Sequence, residues 1–160
     1  MAIVLLGKTI CPLCEYPLEE NENVYVFPAL ISNQADPLYE LNDRAFHKSC
    51  LVAHPLYSRI SKVMRIWQQK TKSHECELCK NEITNPDEHF IFPYFEDKQL
   101  HYLSFAQFHK LCLAKWSGLD ECIAQIDKLS DTETWEGYSL DNLLAELREW
   151  SKKSSESDSE

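Results

Sequence analysis

Glycine is scarce in this chain, with three residues in 160. That excludes a phosphate-cradling Gly-rich loop and a dinucleotide-binding fingerprint, which both need clustered glycines for close backbone approach. Long apolar runs are missing as well. The longest, Ala2 to Leu6, is far too short to span a bilayer. It also lacks the basic flank and small-residue cleavage site of an export leader, so a cytoplasmic location with no membrane partner is expected. An excess of positive charge is absent too: 16 Lys+Arg face 26 Asp+Glu, a formal balance of −10. What is present is enough for a core, since hydrophobic residues make up 44 % and aromatics 11 %, which excludes global disorder. The length suits one ordinary domain or two very small ones.

Cysteine is the informative residue. Six of the seven cysteines fall in an internal repeat. Cys11-Pro-Leu-Cys14 returns as Cys76-Glu-Leu-Cys79, and Val24-Tyr-Val-Phe-Pro28 returns as His89-Phe-Ile-Phe-Pro93, both at an offset of 65. Phe46-His-Lys-Ser-Cys50 returns as Phe108-His-Lys-Leu-Cys112 at an offset of 62. The deficit lies in a polar loop, where a duplicated unit tolerates length change. Each copy therefore reads C-x2-C, a long spacer, then H-x2-C. Two cysteines three apart in a tight turn aim both sulfurs at one ion, and a His and Cys three apart complete the set from the other side. The pattern predicts two closed Cys3His sites, Cys11/Cys14/His47/Cys50 and Cys76/Cys79/His109/Cys112, holding two structural Zn2+ per chain. A disulfide framework fits poorly, because paired His-x-x-Cys motifs have no part in one. A redox dithiol fits poorly as well, because the second copy lacks the proline and each copy keeps its His-x-x-Cys. With three thiolates and one Zn2+ at each site, the formal balance moves from −10 to about −12.

The spacers read as hairpins: Val24 to Ile31 with Leu38 to Leu41 around a polar turn, and Phe90 to Phe95 with Gln99 to Leu103. Helices are expected to begin near Asn42 or Asp43 and near Ser104, where Ser104 with Gln107 makes a capping-box pattern. His54-Pro55 and Ser117-Gly118 break these helices at equivalent places. Beyond the breaks, Leu56, Ile60, Val63, Met64 and Trp67 form one apolar stripe, and Leu119, Cys122, Ile123 and Ile126 the other. Ala2 to Leu6 reads as a strand, Thr132 to Tyr138 as a linker, and Ser139 as the N-cap of a helix with Leu140, Leu143, Leu144, Leu147 and Trp150 on one side. The polar tail is expected to be disordered.

Turn with two cysteines, hairpin, then helix carrying the last ligands resembles the treble-clef zinc finger over roughly residues 8 to 129. The spacing is also similar to the first half of a LIM domain, although 25 residues separate Cys50 from Cys76 where LIM fingers abut. A RING-type cross-brace is disfavoured for the same reason. The fold class implied is α+β: two tandem treble-clef units at 1–74 and 75–130, a linker and C-terminal helix at 131–150, and an acidic tail at 151–160. The resemblance speaks weakly about function, since such units serve adaptors, nucleic-acid binders and nucleases alike.

Charge placement narrows the choice. Arg44 to His74 holds seven bases and no acid, whereas Leu119 to Glu160 holds twelve acids and four bases. The favoured reading is a non-enzymatic protein-interaction module, an adaptor or small immunity-type inhibitor. Its acidic C-terminal third, with Asp120, Glu121, Asp127 and Glu136 as contact candidates, would meet a basic protein partner. The alternative is a nucleic-acid-binding regulator using Arg59, Lys62, Arg65 and Lys70. A weaker alternative is an HNH-type nuclease, for which Glu88-His89 is the only echo of a motif; no catalytic residue is assigned. Cys122, on its apolar stripe, reads as a buried thiol. His54, His74, His89 and His101 read as turn or surface residues.

Overall fold

The computed structural model describes residues 3–132 and 134–157. Each repeat opens on a tight turn around its C-x2-C. In the first, Cys11 N–H donates to Tyr16 O and Glu15 N–H to Cys11 O; in the second, Cys76 N–H donates to Asn81 O and Lys80 N–H to Cys76 O. The residue after the second cysteine sits in the left-handed region in both copies, Glu15 at φ 63° and Lys80 at φ 60°. An antiparallel hairpin follows. Strand β1 (Val24–Phe27) pairs with β2 (Arg44–His47), and β3 (His89–Ile91) pairs with β4 (Gln107–His109). Short helices α1 (Lys48–Ala53) and α3 (Lys110–Ala114) run on from β2 and β4. After the breaks at His54-Pro55 and Ser117-Gly118 come the longer α2 (Tyr57–Thr71) and α4 (Leu119–Ser130). The chain ends on α5 (Ser139–Ser157). The fold is thus α+β, with five α-helices and two small two-stranded sheets among the described residues.

The strand partners differ from the sequence expectation. Leu38 to Leu41 and Gln99 to Leu103 do not return as strands. They coil through 3-10 turns at Tyr39–Leu41 and His101–Leu103, and β2 and β4 form from residues expected to be helical. Side chains capture the backbone here. Asp36 Oδ1 accepts from Leu38 N–H at 2.8 Å, and Asp97 Oδ1 accepts from Gln99 N–H at 2.7 Å. Asn42 accepts from the N–H groups of Leu30 and Ile31 and donates to Ile31 O. Ser104, expected to cap a helix, instead accepts from Phe95 N–H at 3.0 Å and donates to Phe95 O. Asn42 and Ser104 occupy equivalent positions and pin equivalent loops. Left-handed Asp43 (φ 53°) and Phe105 (φ 58°) then turn the chain into β2 and β4.

The amino-terminal segment also departs from its expected strand. Thr9 Oγ1 takes Leu5 N–H, and the N–H groups of Lys8 and Thr9 donate to Leu5 O, which makes a turn around Gly7 at φ 74°. Residue 2 lies outside the described residues. At the other end, α5 continues to Ser157, past the apolar stripe that ends at Trp150; residues 158–160 of the expected disordered tail lie outside the described residues.

Two hydrophobic cores result. The first gathers Leu18, Phe27, Leu38, Phe46, Leu51, Ile60 and Val63, and it also takes in Tyr94 and Phe105 from the second repeat. The second stacks Phe90, Phe92, Phe95 and Phe108 under α4 and is closed by Leu140, Leu143, Leu144 and Leu147 of α5. Tyr94 and Phe105 stack on each other with centroids 5.9 Å apart. That pair lies within the second repeat; the burial of both its rings in the first core is what joins the repeats by apolar contact and not merely by sequence. Polar contacts reinforce the junction. Arg59 on α2 donates to Asp36 Oδ2 at 3.0 Å and to Glu96 Oε2 at 2.9 Å, while Tyr94 Oη donates to Glu96 at 2.7 Å.

Candidate metal centres

The fold brings the eight expected ligands together as two groups of four. Within each, one ligand atom from every residue lies within 4.8 Å of all the others. Cys11 and Cys14 come from the first tight turn, His47 from the last position of β2, and Cys50 from the first turn of α1. The second set repeats the scheme with Cys76, Cys79, His109 at the end of β4, and Cys112 on α3. Both histidines point Nδ1 inward: Cys14 Sγ is 3.2 Å and Cys50 Sγ 3.8 Å from His47 Nδ1, and Cys79 Sγ is 3.4 Å from His109 Nδ1. The histidine precedes its helix, so its β-conformation backbone (ψ 132° for His47, 136° for His109) aims the ring back at the turn.

The electrostatics call for a cation. Burial opposes ionisation of Cys11, but backbone N–H groups of His47, Leu13 and Cys14 outweigh it and bring the thiol down to about 7. Cys76 goes down to about 6, where the N–H groups of Cys79, His109 and Leu78 overcome its burial. Cys50 and Cys112 move the other way, to about 11 and about 12, because burial and then the neighbouring sulfurs disfavour a further negative charge. Desolvation lowers His47, yet the thiols of Cys14 and Cys11, the Pro17 carbonyl and Glu22 lift it to about 9. Surroundings that favour an imidazolium also favour a metal ion, since both place positive charge among sulfurs. Each group could hold one metal.

The two sites are not equal. Cys11 and Cys76 are fully buried alike, but His47 is 8 % exposed where His109 is half-buried. His47 Nε2 lies 2.7 Å from Glu22 Oε2 and 3.1 Å from Pro17 O, a pairing that orients the ring and fixes Nδ1 as the inward atom. In the second site Cys79 is exposed, and among the described residues no carboxylate pairs with His109. Sequence reading missed Glu22; a carboxylate near a ligand in sequence is too common a signal to single it out.

The other candidates fall as follows. Asp127 on α4 accepts from Arg148 of α5 at 2.7 Å, and Asp120 Oδ1 accepts from Ser151 Oγ at 2.8 Å. Glu121 bonds Gln125 one turn on. Glu136 stands in the segment before α5, its backbone joined to Asn33 and Gln34. Of the four bases singled out, Arg59 is engaged with Asp36 and Glu96, and Lys70 is paired with Glu77. Lys62 and Arg65 are exposed on α2. Cys122 is buried in the second core and burial pushes its thiol up to about 12, which makes it inert. His54 Nδ1 accepts from Leu56 N–H, and His101 Nδ1–H donates to Phe95 O; both serve turns. His89 lies in β3 with its ring edge-on to His74.

Among the described residues no helix is long and apolar enough to cross a membrane. No known protein family, curated protein or solved structure matches the chain.

Proposed function

We propose that the chain is a non-enzymatic structural-zinc protein built from two treble-clef-like units, and that it acts as a protein-interaction module through its acidic C-terminal third. The donor sets support zinc. Three sulfurs and one imidazole nitrogen suit this ion, and bond lengths of about 2.3 Å to sulfur and 2.0–2.1 Å to nitrogen imply tetrahedron edges of about 3.5–3.8 Å. The observed 3.2, 3.4 and 3.8 Å separations bracket those edges. Four protein ligands per site leave no position for a substrate or reactive water, so the role is structural. Turn, hairpin and helix in that order support the treble-clef likeness.

The single observation that carries the interaction reading is the use of the basic helix inside the molecule. Arg59 and Lys70 are held by Asp36, Glu96 and Glu77, so two of the four bases a phosphate backbone would need are already neutralised. An acidic chain also repels nucleic acid at long range. Asp127 is likewise shared with Arg148, but Asp120, Glu121 and Glu136 carry no ion pair among the described residues, and with Asp127 they would meet a basic partner. An inhibitor that occupies the phosphate-binding cleft of a basic nuclease is one concrete form.

Two arms test the proposal. In crosslinked capture from lysate of the source cells, neutralising Asp120, Glu121, Asp127 and Glu136 abolishes partner recovery, and neutralising Arg59, Lys62, Arg65 and Lys70 leaves it largely intact. Labelled DNA and RNA at about 0.15 M salt, where weak non-specific binding is suppressed, give no complex with the wild-type protein. Nucleic-acid binding there that is lost with the basic residues would overturn the proposal.

A further inference from the structure

A groove of about 530 Å³ runs between the repeats, bounded by α2 on one side, α5 on the other and the outer edge of β3 along its length. Leu30, Trp67, Phe105 and Leu143 are among its apolar lining, and Glu146 is the only carboxylate or Lys/Arg side chain lining it among the described residues.

The backbone of β3 has a defined polarity toward this groove. Phe92 N–H donates to Ala106 O at 3.0 Å, whereas the Gln107 carbonyl is taken by Glu77 N–H at 2.8 Å on the far side of β4. Ile91 stands opposite Gln107 in the register. Hydrogen-bonded and non-hydrogen-bonded pairs alternate along an antiparallel ladder, so Ile91 directs its own N–H and C=O away from β4, to the outer edge. Among the described residues the sheet has two strands only, and that edge has no third. Ile91 is 42 % exposed. Exposed edges are usually blunted by a lysine, a proline or a bulge; here Pro93 closes the edge two residues on, which leaves Ile91 as the unblunted position beside an apolar groove. In the first repeat the equivalent residue, Val26, is half-buried against its own core, so the feature belongs to the second repeat alone.

We infer that the β3 edge and this groove form a docking site for an extended, Lys- or Arg-bearing segment of a protein partner, added as a third strand beside Ile91. Strand addition supplies main-chain hydrogen bonds, and side-chain pockets supply selectivity. A three-residue strand offers one outward N–H and C=O pair at Ile91, so the Trp67–Leu143 lining must contribute most of the affinity through a buried apolar side chain. Glu146, which has no ion pair among the described residues, selects a cationic neighbour in the incoming segment. The inference rests on the interaction-module reading and names where such a partner is gripped.

The test uses the full-length, metal-loaded chain and a phage-displayed library of random linear peptides, followed by synthetic copies of the peptides recovered. Recovered peptides alternate apolar residues and carry Lys or Arg, and their binding slows hydrogen exchange at the Ile91 amide. Ile91→Pro removes an N–H that β4 does not use, which an edge strand tolerates, and it weakens peptide binding by about tenfold, the worth of one hydrogen bond. Glu146→Lys, on the groove rim, turns the selection toward acidic peptides and guards against misfolding of the proline variant. Recovery of no peptide, or of peptides that leave Ile91 exchange unchanged, overturns the inference. Native-partner capture that survives Ile91→Pro but fails on neutralising the four acids also overturns it, while leaving the interaction module intact. Capture indifferent to both sets of changes removes the interaction reading and, with it, the strand-addition site.

Discussion

Gln107 of β4 donates its side-chain amide to Lys70 O at 2.6 Å and to Ser73 O at 3.2 Å, so a buried residue of the second repeat closes the carboxyl end of α2 in the first. The last carbonyls of a helix have no partner within it, and here they are satisfied from across the junction.

Replacing Gln107 by Leu keeps the volume and removes those bonds. The two carbonyls are only part-buried, so losing their donor costs about 1 kcal/mol, the low end of the unsatisfied-group range, equivalent to about 2–4 °C of melting temperature in a chain of this size. Calorimetry should show the drop as a shift of a single transition, with metal content unchanged. Two separate melts would show that the repeats do not share stability.

Elemental analysis of freshly purified protein should return two zinc ions per chain, and Cys50→Ser or Cys112→Ser should return about one. Because Tyr94 and Phe105 pack in the first core, loss of either metal should weaken both halves. Fewer than about 1.5 zinc per wild-type chain, midway between the one-site and two-site outcomes, would contradict the two-site reading.

Glu22→Gln should weaken metal at the first site alone. Carboxylates that orient a ligating histidine are worth roughly 10- to 100-fold in affinity. Glu22 is 45 % exposed on its side chain, which places the effect at about tenfold, the lower end of that range. Chelator competition should therefore show two release phases that approach each other in the variant, with far-UV circular dichroism unchanged.

Acid should loosen the junction between repeats before neutral pH changes it. Burial raises Glu77 and Glu96. The hydrogen bonds of Lys70 and Lys80 on the first, and of Tyr94 and Arg59 on the second, outweigh it and hold both below the usual 4.5. A carboxylate depressed in the folded state contributes stability above its unfolded value and loses it as pH falls through the folded one. Denaturant unfolding of the wild type and of Glu77→Gln/Glu96→Gln should differ at pH 6 and converge below about pH 4, acid release of metal being common to both.

The two Cys3His groups, the helix breaks and both apolar stripes were legible in the sequence because each rests on residues spaced a few positions apart. His54-Pro55 interrupts a helix by local sterics, and Ile60, Val63, Leu119, Cys122 and Ile126 are buried as their spacing requires. The strand partners were not legible. Val24 to Phe27 is β-prone, but whether it meets Leu38 to Leu41 or Arg44 to His47 depends on Asn42, whose side chain bonds Leu30 and Ile31 twelve and eleven residues back. Ser104 has the composition of a cap and the duty of a pin, a difference decided by Phe95. Arg59 looks like free charge until Glu96, 37 residues on, comes beside it. Side chains acting across loops override local propensity at each of these places.

Among the described residues, the segment before α5 and the first residue of α5 are bound to the first repeat by four hydrogen bonds: Asn33 Nδ2 to Thr134 O, Glu136 N–H to Asn33 Oδ1, Gln34 N–H to Glu136 O, and Ser139 Oγ to Ser32 O. The helix that follows closes the core of the second. Tandem fingers on a free tether must surrender swivelling entropy whenever both grip one target. This chain has already surrendered it in folding, and a ligand spanning the two repeats would meet a preset jaw whose closing carries little further cost.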